Sequence, residues 1–301
     1  SFIIKTPIPI LLLIIISLFF TFLKAGKNKS AKSGKKSFIL YNSSPFIVLS
    51  LIYLLFAITG KINIGHRHIL PVYPPLFVLC GSCVLLFREK HSFLFRVLIS
   101  SLFCWLFIEI LFIQPHFIAY FNQFVGGPKN GYKHLVDSSL DWGQDLRGVA
   151  KFIKDKNINQ KHAYLSYFGV DIPERFGIKC NILPGQMLSD EGKILELKEG
   201  TYFISATMLQ QIYIPDILYS RTNVRMQDIN EELYAELKNK YYGRNTNFIE
   251  KNKNYELFKI LSFIKLCLYA REIQPTDQIA YSILVYNFSQ KDIDNALKYS
   301  P

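Results

Sequence analysis

Four apolar runs, at about residues 7–23, 45–60, 69–87 and 97–114, fill most of the first 114 residues. A bilayer core takes about 20 consecutive apolar residues of helix, and helices apolar on every side have no face to offer water. The first 114 residues are therefore expected to be a transmembrane region of four helices. Pro7 to Leu23 is not read as a signal peptide, because its lysines follow the apolar stretch and no small-residue cleavage site appears. It reads as a spanning helix of a longer protein.

The charge is as uneven as the hydropathy. Residues 1–114 carry 12 Lys and Arg against two acids, Glu89 and Glu109, whereas the rest carries 23 against 21. Nine of the early basic residues lie in two breaks, at Lys24, Lys27, Lys29, Lys32, Lys35 and Lys36 and at Arg88, Lys90 and Arg96; only Lys5, Lys61 and Arg67 lie on the other side. The positive-inside rule puts the lysine break in the cytoplasm, and everything after residue 114 outside. The expected location is the inner (plasma) membrane, multi-pass. The basic excess then reports topology, and no nucleic-acid partner is expected.

After residue 114 the composition is that of a folded domain. His162 to Phe168, Thr201 to Ala206 and Ile279 to Phe288 are rich in aromatic and β-branched residues and read as strands. Helical patterns fall at 229–240 and 255–271, so a small extracytoplasmic α/β domain is expected over 115–288, with 289–301 as a polar tail. Asp141 and Gln144 form a capping-box pattern ahead of Trp142, Leu146, Val149 and Ile153, which share a helix face.

Chemistry is concentrated in a few places. The stretch Asn63 to Pro75 sets His66, Arg67 and His68 at the outward end of the second and third runs, and Pro71, Pro74 and Pro75 make that end irregular. A guanidinium offers a planar set of donors that match phosphate and stays charged at any working pH; anchoring at lipid headgroups is its other reading. His66 and His68 can add donors, and Tyr73 is an interfacial aromatic. Glu109 lies inside the fourth run, where a carboxyl marks either a site or a paired group. Asp137, Asp141 and Asp145 can bind hydroxyls, although capping accounts for Asp141. Cys80 and Cys83 form a CxxC inside an apolar run with no second ligand pair, so they are read as small residues at helix spacing and not as metal ligands; no cofactor is expected. Cys180 and Cys267 are candidates for a disulfide if the domain is extracytoplasmic.

The run Arg67-His68-Ile69-Leu70-Pro71-Val72-Tyr73-Pro74 resembles the signature of membrane glycosyltransferases related to protein O-mannosyltransferases and the lipid A aminoarabinose transferase (the GT-C type). Tyr120-Phe121-Asn122, Gly126-Gly127-Pro128 and Asp137 to Asp145 are similar to a bacterial subgroup in which such a motif opens an extracytoplasmic domain. The resemblance implies the C-terminal half of such an enzyme, moving a sugar from a polyprenyl-phosphate carrier to an acceptor on the outer face of the membrane. Arg67, His66 and His68 would meet the donor phosphate, and Glu109, Tyr73, Asp137 and Asp141 would belong to a polar site. In that family an acidic residue in the first outward loop activates the acceptor. This chain departs from the pattern: it has no Asp before Asp137, and its one Asp-Glu pair is Asp190-Glu191. The competing expectation is a non-catalytic membrane anchor that displays an extracytoplasmic binding domain.

Overall fold

The structure, a computed structural model, describes residues 1–27, 35–59, 65–81, 92–185, 196–242 and 253–298. The rest of the lysine break, Cys83, residues 82–87 of the third apolar run, Arg88, Lys90 and Asp190-Glu191 lie outside them. The chain divides into two compact units, Ser1–Ser139 and Leu140–Pro301.

The first unit is helical: α1 (Phe2–Lys5), α2 (Ile8–Lys27), α3 (Lys35–Thr59), α4 (Tyr73–Cys80) and α5 (Ser92–Ile113). Helix α3 begins ten residues before the apolar run because Pro45 does not stop it. Proline has no N–H for the carbonyl four residues back, and the Ser44 hydroxyl donates to that carbonyl of Tyr41 at 2.8 Å instead. The third apolar run does not open as an α-helix. Gly65–Val72 is a 3-10 turn, and α4 starts only at Tyr73, with prolines in its first turn where no N–H is needed. Helix α2 packs against α3, α4 and α5. Ile14, Val72, Leu76 and Leu79 form one small core and Leu13, Ile99 and Leu102 another. Away from these seams the helices present large apolar side chains, Phe56, Phe93 and Phe112 among them. Among the described residues one helix, Phe93–Ile113, is long and apolar enough to cross a membrane; Ile8–Phe19 and Ser43–Thr59 are shorter apolar stretches.

The second unit is built on a mixed five-stranded sheet, β1 (Ala163–Ser166), β2 (Asn181–Ile182), β3 (Gly200–Ser205), β4 (Asp277–Ile279) and β5 (Ile283–Phe288), in the order β2-β1-β3-β5-β4. β2, β1 and β3 run parallel, and β3, β5 and β4 antiparallel. Helices are α6 (Leu146–Asp155), α7 (Ala206–Leu209), α8 (Ile214–Thr222), α9 (Glu231–Tyr242), α10 (Lys253–Glu272) and α11 (Gln290–Lys298). Alternate residues divide the sheet's two faces. Ala163, Leu165, Phe203, Ile283 and Val285 pack with Leu146, Val149 and Ile153 of α6. The intervening Tyr164, Tyr202, Tyr286 and Phe288 are buried on the opposite face, where Phe288 meets Tyr269 of α10. Burial on both faces explains why the strands read as almost continuous apolar runs.

Four expectations are revised. Residues 115–139 belong with the first unit, since Asn122 bonds to Ile3 and Thr6. The strand expected at Ile279–Phe288 is a hairpin. Ala280 and Tyr281 take positive φ and Ser282 N–H closes the turn onto Ile279 O, the tight turn that suits twisted strands. Helix α6 starts after the supposed capping box, at Leu146, so Trp142 precedes it and stands exposed. The expected polar tail 289–301 instead contains α11, whose capping box is explicit: Ser289 N–H donates to Asp292 Oδ2 and Asp292 N–H to Ser289 Oγ. Ile293 and Ala296 are fully buried on its inner face. Ile293→Ala is expected to lower stability by about 2 to 4 kcal/mol, read as a drop in the denaturant midpoint, and wild-type amides at 293–298 should be protected from hydrogen exchange. A change within about 0.5 kcal/mol, as at an exposed position, would argue against a packed helix.

Candidate functional site

In the first unit the C-terminal end of α5, the segment at Lys5, the 65–72 turn and the stretch 117–139 enclose a half-open cavity of about 360 Å³, at the lower end of the size range of ligand pockets. Its apolar wall is the last two turns of α5, Leu106, Ile110 and Ile113, continued by Leu70, Phe117 and Ile118. Its polar side carries Lys5, His66, Arg67, Glu109, Tyr120, Ser138 and Ser139.

Asn122 holds this arrangement together. It is fully buried, and its Nδ2 donates to Ile3 O at 2.6 Å and Thr6 O at 2.8 Å. Its backbone N–H donates to Ile4 O, and its Oδ1 accepts from Phe124 N–H. The segment before α2 is thereby pinned to the 117–127 loop, and Lys5 is carried into the cavity. There Lys5 Nζ donates to Ile118 O and to Ser139 O, both at 2.7 Å, and lies 4.3 Å from the centre of the Phe121 ring. Burial draws its amine down to about 7.

The 65–72 turn is docked with equal economy. Gly65 has φ +73°, and a Cβ there would fall 2.5 Å from Ser139 Oγ, so only glycine lets the turn approach this closely. Ser139 Oγ accepts from the backbone N–H of the next residue, His66, at 3.1 Å. The His66 ring meets Tyr73 Oη at 3.2 Å, and that hydroxyl shares a hydrogen bond with Thr6. Burial, with the charge of Lys5 adding to it, lowers His66 to about 4.

Of the residues singled out in the sequence, the structure gathers Arg67, His66 and Glu109 on the cavity lining. His66 is neutral at pH 7, so it can offer a hydrogen bond but no charge. His68 is not on the lining; its Nε2 is buried without a hydrogen-bond partner. Tyr73 acts behind the lining, by orienting His66. Glu109 is buried and accepts from Tyr120 Oη at 2.6 Å and Gln123 Nε2 at 2.8 Å. Asp137 turns the chain at positive φ beside Ser138 and Ser139 but does not line the cavity. Lys5, Tyr120 and Asn122 carry more of the site than their sequence context indicates. For Lys5 the available signal was a lone ammonium in an otherwise apolar stretch.

Asp141 lies in the second unit, in a buried polar cluster. Its Oδ1 accepts from Gly143 N–H at 3.0 Å. Gly143 has φ +71° and no room for a Cβ against Phe168 O, 2.6 Å away, and the Tyr167 hydroxyl donates to Gly143 O. Asp145 is buried nearby on the same loop and accepts from Ser282 Oγ at 2.6 Å, which ties the loop to the β4–β5 turn. Burial pushes Asp141 up to about 7, against the pull of Gly143 N–H, Ser205 and Thr207. Cys180 and Cys267 do not pair. Both are free and buried, Cys180 within the sheet core and Cys267 on α10 facing Met208 O. Among the described residues no cluster of His, Cys, Asp and Glu could hold a metal.

No protein-family model, curated protein or solved structure matches this chain.

The buried carboxyl of Asp141 makes the stability of the second unit depend on pH. Its folded value of about 7 stands above the ordinary 3.8, so folding favours the protonated acid. The stabilisation is complete below about pH 4 and is lost as pH rises to about 7. Asp141→Asn, which stays neutral and keeps an acceptor for Gly143, should flatten this dependence and be the more stable form at pH 8, by an amount on the order of 3 kcal/mol. Urea titrations from pH 4 to 8, followed by Trp142 fluorescence in a Trp105→Phe background, measure it. Parallel pH profiles for the two proteins would refute it.

Proposed function

We propose that this chain is the C-terminal part of an integral-membrane glycosyltransferase that moves a sugar from a polyprenyl-phosphate donor to an acceptor on the outer face of the membrane. In this reading α2, α3, the helix entered at Tyr73 and α5 cross the bilayer, and the α/β unit is extracytoplasmic. The observation that carries it is the composition of the cavity, which sets an apolar wall on α5 beside the guanidinium of Arg67 and the hydroxyls of Ser138 and Ser139. A prenyl chain with a phosphate at its end has the same two-part chemistry. The resemblance around Arg67 to Pro74 and Asp137 to Asp145 supports the same reading.

The chemistry asked of the site is electrostatic. A sugar phosphodiester carries one negative charge. When the bond between the sugar's anomeric carbon and the phosphate oxygen breaks, the leaving polyprenyl phosphate gains a second. Donors already in place stabilise charge that develops there, at no cost of reorganisation. Arg67 supplies a permanent charge and paired N–H groups, the serine hydroxyls of 138 and 139 offer neutral donors, and the α5 wall keeps water from the prenyl end.

Topology is tested first. A cysteine introduced at the exposed Val170 should react with an impermeant maleimide on intact cells, and one at Lys32 should not; the reverse pattern would reject the orientation.

The reaction is tested at Arg67. Arg67→Ala should remove charge-assisted bonds of about 1.5 to 3 kcal/mol each, a loss of roughly tenfold or more in donor affinity. Arg67→Lys should recover part, since an ammonium lacks the paired geometry. The measurement is sugar transfer from a radiolabelled prenyl-phosphate donor at matched protein levels. Unchanged transfer by Arg67→Ala would sink the phosphate role and leave Arg67 as a membrane anchor.

A further inference from the structure

The Lys5 amine has a geometry that its neighbours define closely. Two of its hydrogens are spent on backbone carbonyls, Ile118 O and Ser139 O, while the residue also lines the cavity that holds Arg67. An ammonium has three donors and a neutral amine has two with a lone pair. The two carbonyls take both donors of the neutral form and leave its lone pair without a donor. The charged form keeps one N–H in excess, and the cavity is where an acceptor can reach it.

We propose that Lys5 is a second cationic ligand of the carrier phosphate, and that the phosphate binds together with a proton taken up by the Lys5 amine. This rests on the carrier-phosphate reading given above and adds a residue and a proton to it. Burial makes the neutral amine accessible near pH 7, and an anion at the third N–H position restores the charged form, because an opposite charge at contact favours ionisation. The Phe121 ring, 4.3 Å from Nζ, favours the same form.

The other groups that face the cavity do not supply this proton. Arg67, on the 65–72 turn, is charged throughout. His66, beside it, titrates near pH 4 and remains neutral. Tyr120 is raised well above its ordinary value by burial and by its bond to Glu109. Glu109, from α5, already has both oxygens engaged by Tyr120 and Gln123.

The test is calorimetric binding of farnesyl methyl phosphate to the purified full chain in detergent, at pH 6, 7 and 8, in two buffers that differ in ionisation enthalpy. A phosphodiester carries one fixed charge over this range, so any proton taken up goes to the protein. If only the charged amine is competent, apparent affinity scales with its population and should fall about tenfold from pH 6 to pH 8, with about half a proton taken up at pH 7. Lys5→Arg should bind with no uptake and a flat profile. Arg67→Ala should bind more weakly at every pH and keep the uptake. Wild-type binding that is independent of pH and proton-free would overturn the role of Lys5 and leave the phosphate reading intact, and that result needs no variant to fold. Persistence of the uptake in Lys5→Arg would overturn it as well. No wild-type binding at any pH would overturn both the role and the reading.

Discussion

The first unit depends on the hydrogen bonds of one side chain, Asn122. A carboxamide has two donors and an acceptor, and here all three meet backbone groups inside a fully buried site: Ile3 O, Thr6 O and Phe124 N–H. The carbonyls of Ile3 and Thr6 belong to the short α1 helix and the break before α2, where no helical N–H is left to satisfy them. Unpaired and buried, each would destabilise the unit by about 1 to 3 kcal/mol. Satisfying both from a loop more than a hundred residues away brings Lys5 to the cavity and sets the loop so that Tyr120 and Gln123 reach Glu109. The polar side of the cavity is thus a consequence of satisfying backbone.

The two units solve opposite problems with the same rule. In the first, apolar side chains are abundant outside as well as inside, and specificity falls to a few polar contacts: Ser44 covering for Pro45, Asn122, and Ser139 receiving the 65–72 turn. In the second, the buried apolar residues gather on the two faces of the sheet and the helices on it. One group of buried polar side chains there, Asp141, Asp145, Ser205 and Ser282, sits where loops meet the ends of strands, and a second lies on α10. Asp141 and Asp145 fasten the loop before α6 to the sheet, and Lys265 on α10 is held by Glu231 at 2.7 Å.

What could be read in advance follows from which physical signals are local. The strands β1 and β3 coincide closely with the runs expected from aromatic and β-branched content, and helices stand at 231–242 and 253–272, near the two expected. Phosphate-matching Arg67 was visible as a residue type, and it does line the cavity. The hairpin at Ala280-Tyr281 was hidden because neither residue is a turn former, and the sheet imposes their positive φ. Two capping-box patterns stand in the sequence, and only one of them caps a helix. Asp141–Gln144 has the letters, but tertiary burial turns Asp141 toward Gly143. Ser289–Asp292 has the same spacing and makes both reciprocal bonds. Lys5 and Asn122 were illegible for a different reason: each acts on carbonyls more than a hundred residues away in sequence, and nothing local announces such a partner.

The sheet order leaves β2 and β4 as its rims, and these strands are only two and three residues long. A strand that short offers a foreign backbone almost no ladder to extend. Copies of this unit crowded on a surface would have little means of zipping together through their edges. Recognition of anything by strand addition is equally disfavoured. Side chains and loop ends are left as its means of contact, and Trp142 stands exposed on one such loop.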